Sequence, residues 1–273
     1  MRPGSSLVAR PMVCAGPRPS GVRRMRRFEL LPGISLVDAE LESGYEAPWH
    51  AHRDLHLTLV LRGRIKRVVG DAEADAGPLA CTVFPRHVDH RIESASAARG
   101  GAEARIFHLW ARPDAVPEGW RAEAAGVAGE GAAALGLLRL WLLAARARDR
   151  SAARRAAREL LRRPCRERAE PAWLPQARRL IASRRVCGTG DLADALGLSS
   201  GHVARAFRAA EGVRVRDAVR AHRAARSVAA LASGDGLADA AARGGFADQS
   251  HLGRELRRLL GVTPGELRNA LFD

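Results

Sequence analysis

Lysine is almost missing from this chain: Lys66 is the only one, so nearly all of its basic charge is arginine. The net charge is nevertheless +15. Part of that excess is compositional, since a GC-rich bacterial coding sequence yields chains rich in arginine and alanine. The remainder suits a polyanionic partner, because arginines that neutralise phosphates release condensed counterions. Cysteine is sparse and scattered. Cys14, Cys81, Cys165 and Cys187 form no C-x-x-C pair, which excludes a zinc ribbon and a disulfide framework and fits a reducing cytoplasm. No apolar run reaches the ~18 residues of a membrane span. The best stretch, 132–145, is interrupted by Arg139. The N-terminus has arginine and proline but no apolar core, so no signal peptide is expected. Residues 1–27 read as a disordered basic arm, with Met25 as an alternative start.

What is present is enough for real cores: 47% of the 273 residues are hydrophobic, and the length suggests two domains. Residues 28–115 read as a β-domain, with short alternating runs at 33–41, 55–61, 65–69, 81–84 and 106–109 between turn residues. That spacing predicts a small sandwich or barrel. From about 120 the texture becomes helical. Leu135, Leu138, Leu142 and Ala145 share one helix face. A second helix is expected from Ser151, its N-cap, to Arg163, where Pro164 ends it. This helical region spans 116–171, with a proline-marked linker over 164–175. Residues 172–273 are helix, turn and helix repeatedly, so the chain is α+β overall.

That last segment carries one pattern twice. The first copy reads Ala193-x3-Gly197, then Val203 to Phe207, then Gly212-Val213; the second reads Ala241-x3-Gly245, then Leu252 to Leu256, then Gly261-Val262. Each is a short helix, a glycine turn and a second helix with apolar anchors four apart, the signature of a helix-turn-helix. Ala193 must be small where the second helix crosses it. Gly197 supplies the positive φ of the turn. Gly190-Asp191 is expected to cap the first helix, over 192–196, and Ser199 the next. Val203, Ala206 and Phe207 then face the core, leaving Ser200, Gly201, Ala204, Arg205 and Arg208 outward. In the second unit Phe246 packs beneath the turn, Asp248 caps, and Leu252 and Leu256 point in. Gln249, Ser250, Gly253, Arg254 and Arg257 are expected on the outer face, with His251 and Arg258 beside them. Glutamine and arginine read adenine and guanine edges bidentately in the major groove. A long helix over 214–232 separates the units.

The run Leu237-Ala238-Asp239-Ala240-Ala241, then Gly245-Phe246-Ala247-Asp248-Gln249-Ser250-His251-Leu252-Gly253-Arg254, then Gly261-Val262-Thr263-Pro264 closely resembles the second helix-turn-helix signature of the AraC/XylS family of bacterial transcription regulators. The resemblance extends from about Ala177 to Arg268. It implies two helix-turn-helix units joined by a long helix, with recognition helices entering successive major grooves. Three features depart from the pattern: Leu252 and Leu256 stand where aromatics are usual, 215–219 lacks a tyrosine, and His222 replaces a leucine.

In the N-terminal half, Gly44-x5-His50-x-His52-x3-His56-x6-Gly63 matches the spacing of the first cupin motif, with His56 where glutamate is usual. Gly77, Pro85, His87 and His90 resemble the second motif. AraC-type regulators often carry a cupin-like barrel as sensor, so the two resemblances agree. His50 and His52 point the same way along a strand, His56 is in phase, and His90 can reach in from a facing strand. Imidazoles suit Zn, Cu, Fe or Ni, so one reading is a divalent metal held by His50, His52, His56 and His90. The other is that these histidines are pocket walls or core groups. Trp49, Leu57, Leu59, Phe84, Phe107 and Trp110 are candidate walls of an apolar ligand pocket, or plain core.

The expected function is a sequence-specific, cytoplasmic transcription regulator. Its partners would be double-stranded DNA, a small-molecule or metal effector and, as an activator, RNA polymerase. DNA contacts are assigned to Ser199, Ser200, Gly201, Arg205, Arg208, Asp248, Gln249, Ser250, His251, Arg254, Arg257 and Arg258. The helices at 130–163 resemble the family's dimerisation region, which implies a homodimer; alternatively their apolar stripe packs on the barrel. No nucleophile–base set, phosphate loop or cofactor fingerprint is present, so no catalytic residue is assigned. A metal-dependent cupin enzyme with a helical appendage is the rival reading, and it does not explain the duplicated unit. A DNA-repair methyltransferase is a third, for which Pro164-Cys165-Arg166 is only an echo of the required motif.

Overall fold

The structure is a computed structural model that describes residues 20–70, 72–84, 86–94, 103–116, 126–127, 131–146, 149–161 and 171–273. Pro85 and most of the 164–175 linker therefore lie outside the described residues. Among the described residues the first strand is β1 (Val22–Leu31), which takes in residues expected in the N-terminal arm. A tight turn at Gly33 (φ 76°) leads into β2 (Ile34–Leu41). A side chain there would be strained, and its Cβ would lie 2.9 Å from that of Ala115.

The remaining strands are β3 (Leu55–Arg62), β4 (Ile65–Val69), β5 (Ala72–Ala76), β6 (Cys81–Phe84), β7 (His90–Ser94), β8 (Ala104–Ala111) and the backbone pair β9 (Gly126–Val127). They form a six-stranded sheet, β1-β2-β8-β3-β6-β9, and a three-stranded sheet, β5-β4-β7, with every pairing antiparallel. The five predicted runs are all strands. β7 is the facing strand expected to carry His90, although its run is not among the five; β1, β5 and the two-residue β9 are further strands, and the charged residues of β1 and β5 hide their alternation.

The six-stranded sheet has two buried faces, and side-chain parity sorts its residues between them. Val60, Phe84, Ile106 and Trp110 face the smaller sheet. Leu55, Leu57, Leu59, Leu61, Phe107 and Leu109 face the opposite way, into a core shared with the helices. Leu57, Leu59 and Phe107 therefore wall no pocket inside the β-domain.

Covering that second face are α1 (Ala132–Trp141), continued by a π turn over Leu142–Arg146, and α2 (Arg150–Leu161). Ser151 is not the N-cap of α2. Asp149 is, its carboxylate accepting from Ala152 N–H at 2.9 Å. In α1, Leu135, Leu137, Leu138, Leu140 and Trp141 are all buried within the chain, so its stripe packs on the sheet and on the helices that follow.

Those helices are α3 (Leu174–Ala182), α4 (Thr189–Leu196), α5 (Ser200–Glu211), α6 (Val215–Ala232), α7 (Leu237–Gly244), α8 (Gln249–Leu260) and α9 (Pro264–Phe272). They divide between two cores. The first, built on Leu174, Ile181, Leu192, Val203, Phe207 and Val219, holds α3–α5 and the start of α6. The second half of α6 and α7–α9 instead join the core of α1, α2 and the large sheet.

Where α1 meets α6, Gly131 (φ 107°) lies so close to His222 that an added Cβ would stand 2.8 Å from the imidazole. Burial, with Arg226 nearby, pushes the His222 pKa down to about 4. The unfolded chain thus binds a proton that the folded chain refuses between about pH 6.5 and 4. The stability that the neutral imidazole contributes is complete above that window and is lost as pH falls through it. Urea midpoints of wild type and His222→Leu are therefore expected to diverge as pH drops from 6.5 towards 4, with wild type losing more. Parallel pH profiles would contradict this.

Candidate metal centre and nucleic-acid interface

His50 and His52 sit on the segment entering β3, and His90 opens β7. A backbone bridge joins them: His50 N–H donates to His90 O at 3.1 Å and His90 N–H returns to His50 O at 2.9 Å. The three rings lie 4.6–4.9 Å apart, centroid to centroid. One nitrogen from each falls within 4.8 Å of the others. Two of the rings are oriented from behind. His50 Nδ1–H donates to Pro48 O at 2.6 Å and His90 Nδ1–H to Val88 O at 2.9 Å. That fixes the tautomer and leaves Nε2 as the lone-pair atom, the support that metal-binding histidines commonly have. The buried Nε2 atoms of His52 and His90 have no hydrogen-bond partner. Burial, reinforced by His50, pushes the His52 pKa down to about 2, and burial lowers His90 to about 4. Both are neutral imidazoles at ordinary pH, as coordination requires. Orphaned, neutral, convergent nitrogens fit a divalent metal.

His56 does not complete this set. Its ring turns deeper, where Nε2 lies 2.6 Å from His108 Nδ1, and Thr58 Oγ1 reaches both at 3.0 and 2.8 Å. Trp110 stacks on His56 at 4.0 Å and Phe84 at 5.0 Å, while Phe84 also stacks on His90 at 4.4 Å. Burial pushes the His108 pKa down to about 3 and that of His56 well below the usual imidazole range. The site is thus a three-histidine mouth over a buried His56–Thr58–His108 floor. Thr58 and His108 escaped the sequence reading, although each lies two positions from an aromatic residue of the same face. Trp49, expected as a pocket wall, is instead 47% exposed, with Arg91 over its ring at 5.3 Å.

The paired helical units begin at different caps than expected in one place only. α4 starts at Thr189 after Gly188, and Asp191 instead accepts from Cys187 N–H at 2.8 Å. Gly197 (φ 66°) and Gly245 (φ 74°) hold the two turns in the left-handed region. Ser199 accepts from His202 N–H at 3.4 Å to cap α5, and Asp248 from His251 N–H at 2.7 Å to cap α8. On α5, Val203 and Phe207 are buried, while Ser200, Gly201, Ala204, Arg205 and Arg208 are exposed. On α8, Leu252 and Leu256 are buried, while Gln249, Ser250, Arg254 and Arg257 are exposed. Among the described residues, Arg205, Arg208, Arg254 and Arg257 form no ion pair within the chain.

Three residues assigned to the outer face of α8 differ. Gly253 is buried, and a Cβ there would meet Pro264 at 3.8 Å. His251 is half-buried with its ring edge-on to Phe246 at 5.2 Å. Arg258 is ion-paired with Glu255 at the rim of that face. Arginine also serves inside the domain. From α6, Arg223 donates to the carbonyls of Gly244 and Gly245 and lies over Phe246 at 4.8 Å, while Arg226 donates to Ala182 O at 3.1 Å. One face of the linker helix thus ties both units to it.

The helix-turn-helix domain family matches residues 192–270. No curated protein matches the chain. Among solved structures, KdgF from a Halomonas species is similar at 17% identity and a TM-score of 0.30, over 34% of this chain and 82% of that one. A cupin-2 domain containing protein from Shewanella frigidimarina is similar at 19% identity and a TM-score of 0.28, over 33% of this chain and 81% of its own. The oxalate decarboxylase of Bacillus subtilis, which contains Mn(II) centres, is similar at 19% identity and a TM-score of 0.28, over 32% of this chain. This chain spans only 25% of that enzyme.

Proposed function

We infer that this DNA-binding regulator, whose C-terminal part is a helix-turn-helix domain of the AraC type, reads two stretches of double-stranded DNA with α5 and α8 under control of its cupin-like β-domain. The observation that carries this is the pair of capped helices, each presenting exposed, unpaired arginines. The exposed faces divide the labour. Gln249 and Arg254 on α8 have base-reading chemistry, whereas Ser200, Gly201, Arg205 and Arg208 on α5 suit the phosphate backbone.

The effector is a divalent metal, or a small molecule, held at His50, His52 and His90. When bound, a metal would supply a fixed positive charge that holds the three imidazoles in one arrangement. The chain's own residues would carry the consequence. His56, Thr58 and His108 lie under the site on β3 and β8, and the opposite faces of those strands bear the leucines and Phe107 that pack with α1. Through α1, the same core reaches α6 and α8. An effector regulates by binding two such arrangements with different affinity.

The test is a duplex selected by the protein from random DNA. Gln249→Ala is expected to relax base preference at one position by about 1–3 kcal/mol. Arg254→Ala is expected to weaken binding with a comparable loss. Arg205→Ala should weaken all sequences alike and flatten the salt dependence by about one unit of slope. Unchanged affinity in both α8 variants would remove α8 as a base reader, and footprints with stronger base discrimination under α5 would reverse the division of labour.

A further inference from the structure

Arg139 is the one charge in the apolar run of α1, and the assigned function does not use it. Its side chain opens into a cleft of about 290 Å³ between α1, α2, α6 and α8. The size is near the lower end for small-molecule sites. Leu135, Leu160 and Leu259 supply apolar lining, and Arg139, Glu159, Asp217 and Arg258 supply charge. Of these four, Arg258 is satisfied by Glu255. Among the described residues, Arg139 and Glu159, both exposed, form no ion pair, whereas Asp217 faces Arg258 closely enough to help raise its pKa. In a chain with 45 basic and 30 acidic residues, carboxylates are the scarce partner. One left unpaired, Glu159, in the same cleft as an unpaired arginine, offers a ligand one free charge of each sign beside an apolar lining.

We propose that this cleft is a second small-molecule site, for a zwitterionic α-amino acid with a branched apolar side chain. The carboxylate pairs with Arg139, the ammonium with Glu159, and the side chain lies on the leucines. Each charged end finds an opposite charge that the chain leaves free, and charge-assisted hydrogen bonds of this kind are the stronger class. A ligand in place would bridge α1 and α2 to the linker helix and to the C-terminal end of α8. The binding claim is independent of the regulatory reading; only its consequence for DNA rests on that reading.

L-Leucine is the probe, measured by titration calorimetry on the full chain against two truncated analogues: 4-methylpentanoate, which lacks the ammonium, and isoamylamine, which lacks the carboxylate. Leucine is expected to bind at one equivalent, with each analogue at least tenfold weaker. Arg139→Gln should weaken leucine at least tenfold while leaving isoamylamine unchanged, and Glu159→Gln should weaken leucine while leaving 4-methylpentanoate unchanged. Unaltered circular dichroism identifies folded variants, and the wild-type analogue series decides the matter should either variant misfold. Absence of saturable leucine binding, or analogues as tight as leucine, overturns the proposal. So does leucine affinity that neither folded variant alters. Leucine binding that leaves affinity for the selected duplex unchanged would keep the site and remove its link to DNA, whereas loss of DNA binding by wild type would indict the regulatory reading alone.

Discussion

Asp38→Ala is expected to cost about 3–5 kcal/mol of stability, because it strips a buried guanidinium of its counter-charge. Asp38 and Arg105 are both buried and meet through two parallel bonds, Nε to Oδ1 at 3.1 Å and Nη2 to Oδ2 at 3.0 Å. Trp141 Nε1–H donates to the same carboxylate at 3.0 Å, and Arg105 lies over the Trp141 ring at 5.1 Å. Glu40, 3.8 Å from Arg105 Nε, is the group that can take over part of the charge, which favours the lower end of the range. Replacing both partners, Asp38→Leu with Arg105→Met, is expected to recover most of the loss, since apolar pairs of similar size often match buried ion pairs. Urea unfolding of the single and double variants checks this; a single-variant loss below about 1 kcal/mol would mean the pair is solvated, as exposed pairs are. The position matters as much as the magnitude. Asp38 and Arg105 lie on β2 and β8, Trp141 lies on α1, and Arg105 Nη1 donates to Ala270 O of α9 at 3.4 Å. The cluster therefore joins the β-domain to the second helical unit, and hydrogen exchange should quicken in α9 and β8 together.

Nothing in the sequence marks this cluster, because its members are scattered along the chain and carry no common pattern. The contrast with the helical units is instructive. Gly197, Ser199, Gly245 and Asp248 act through bonds to residues a few positions away, so their roles were legible from spacing alone. Gly253 was misjudged because helical phase alone did not show that Pro264 covers it. In the β-domain, strands with clean alternation were found, and those bearing arginine or acid on the solvent side, β1 and β5, were not. The histidine site shows both behaviours. His50, His52 and His90 follow from motif spacing, but the choice between coordination and packing for His56 depends on His108, which reaches it from β8. Residue type alone makes Trp49 a candidate pocket wall or core group, a weak guide for one aromatic on a loop, and it is exposed.

One equivalent of Zn²⁺ is expected to bind the metal-free protein and to raise its thermal midpoint, with about 4 kcal/mol of stabilisation when free metal is a thousandfold above Kd. His52→Ala and His90→Ala should abolish both the stoichiometry and the shift, and His50→Ala should do likewise. His56→Ala and His108→Phe should keep one equivalent bound, since His56 Nε2 is engaged by His108 and Thr58 and His56 lies outside the group of converging nitrogens formed by His50, His52 and His90. A zinc–nitrogen bond of about 2.1 Å keeps coordinated nitrogens within about 4.2 Å of one another. The nitrogens lie within 4.8 Å, so the rings have little distance to close. Protons compete weakly for two of the ligands, because burial already lowers the pKa of His52 to about 2 and that of His90 to about 4. Stoichiometric metal in His52→Ala, or none in wild type, would return the cluster to the role of pocket wall. The two roles also differ in what the orphaned nitrogens cost. Without a cation or another partner, the buried Nε2 atoms of His52 and His90 are desolvated acceptors that burden the fold by about 1–3 kcal/mol each. Their replacement by apolar residues should then stabilise the metal-free protein while it loses zinc. A variant that loses both stability and metal would instead assign the imidazoles to packing.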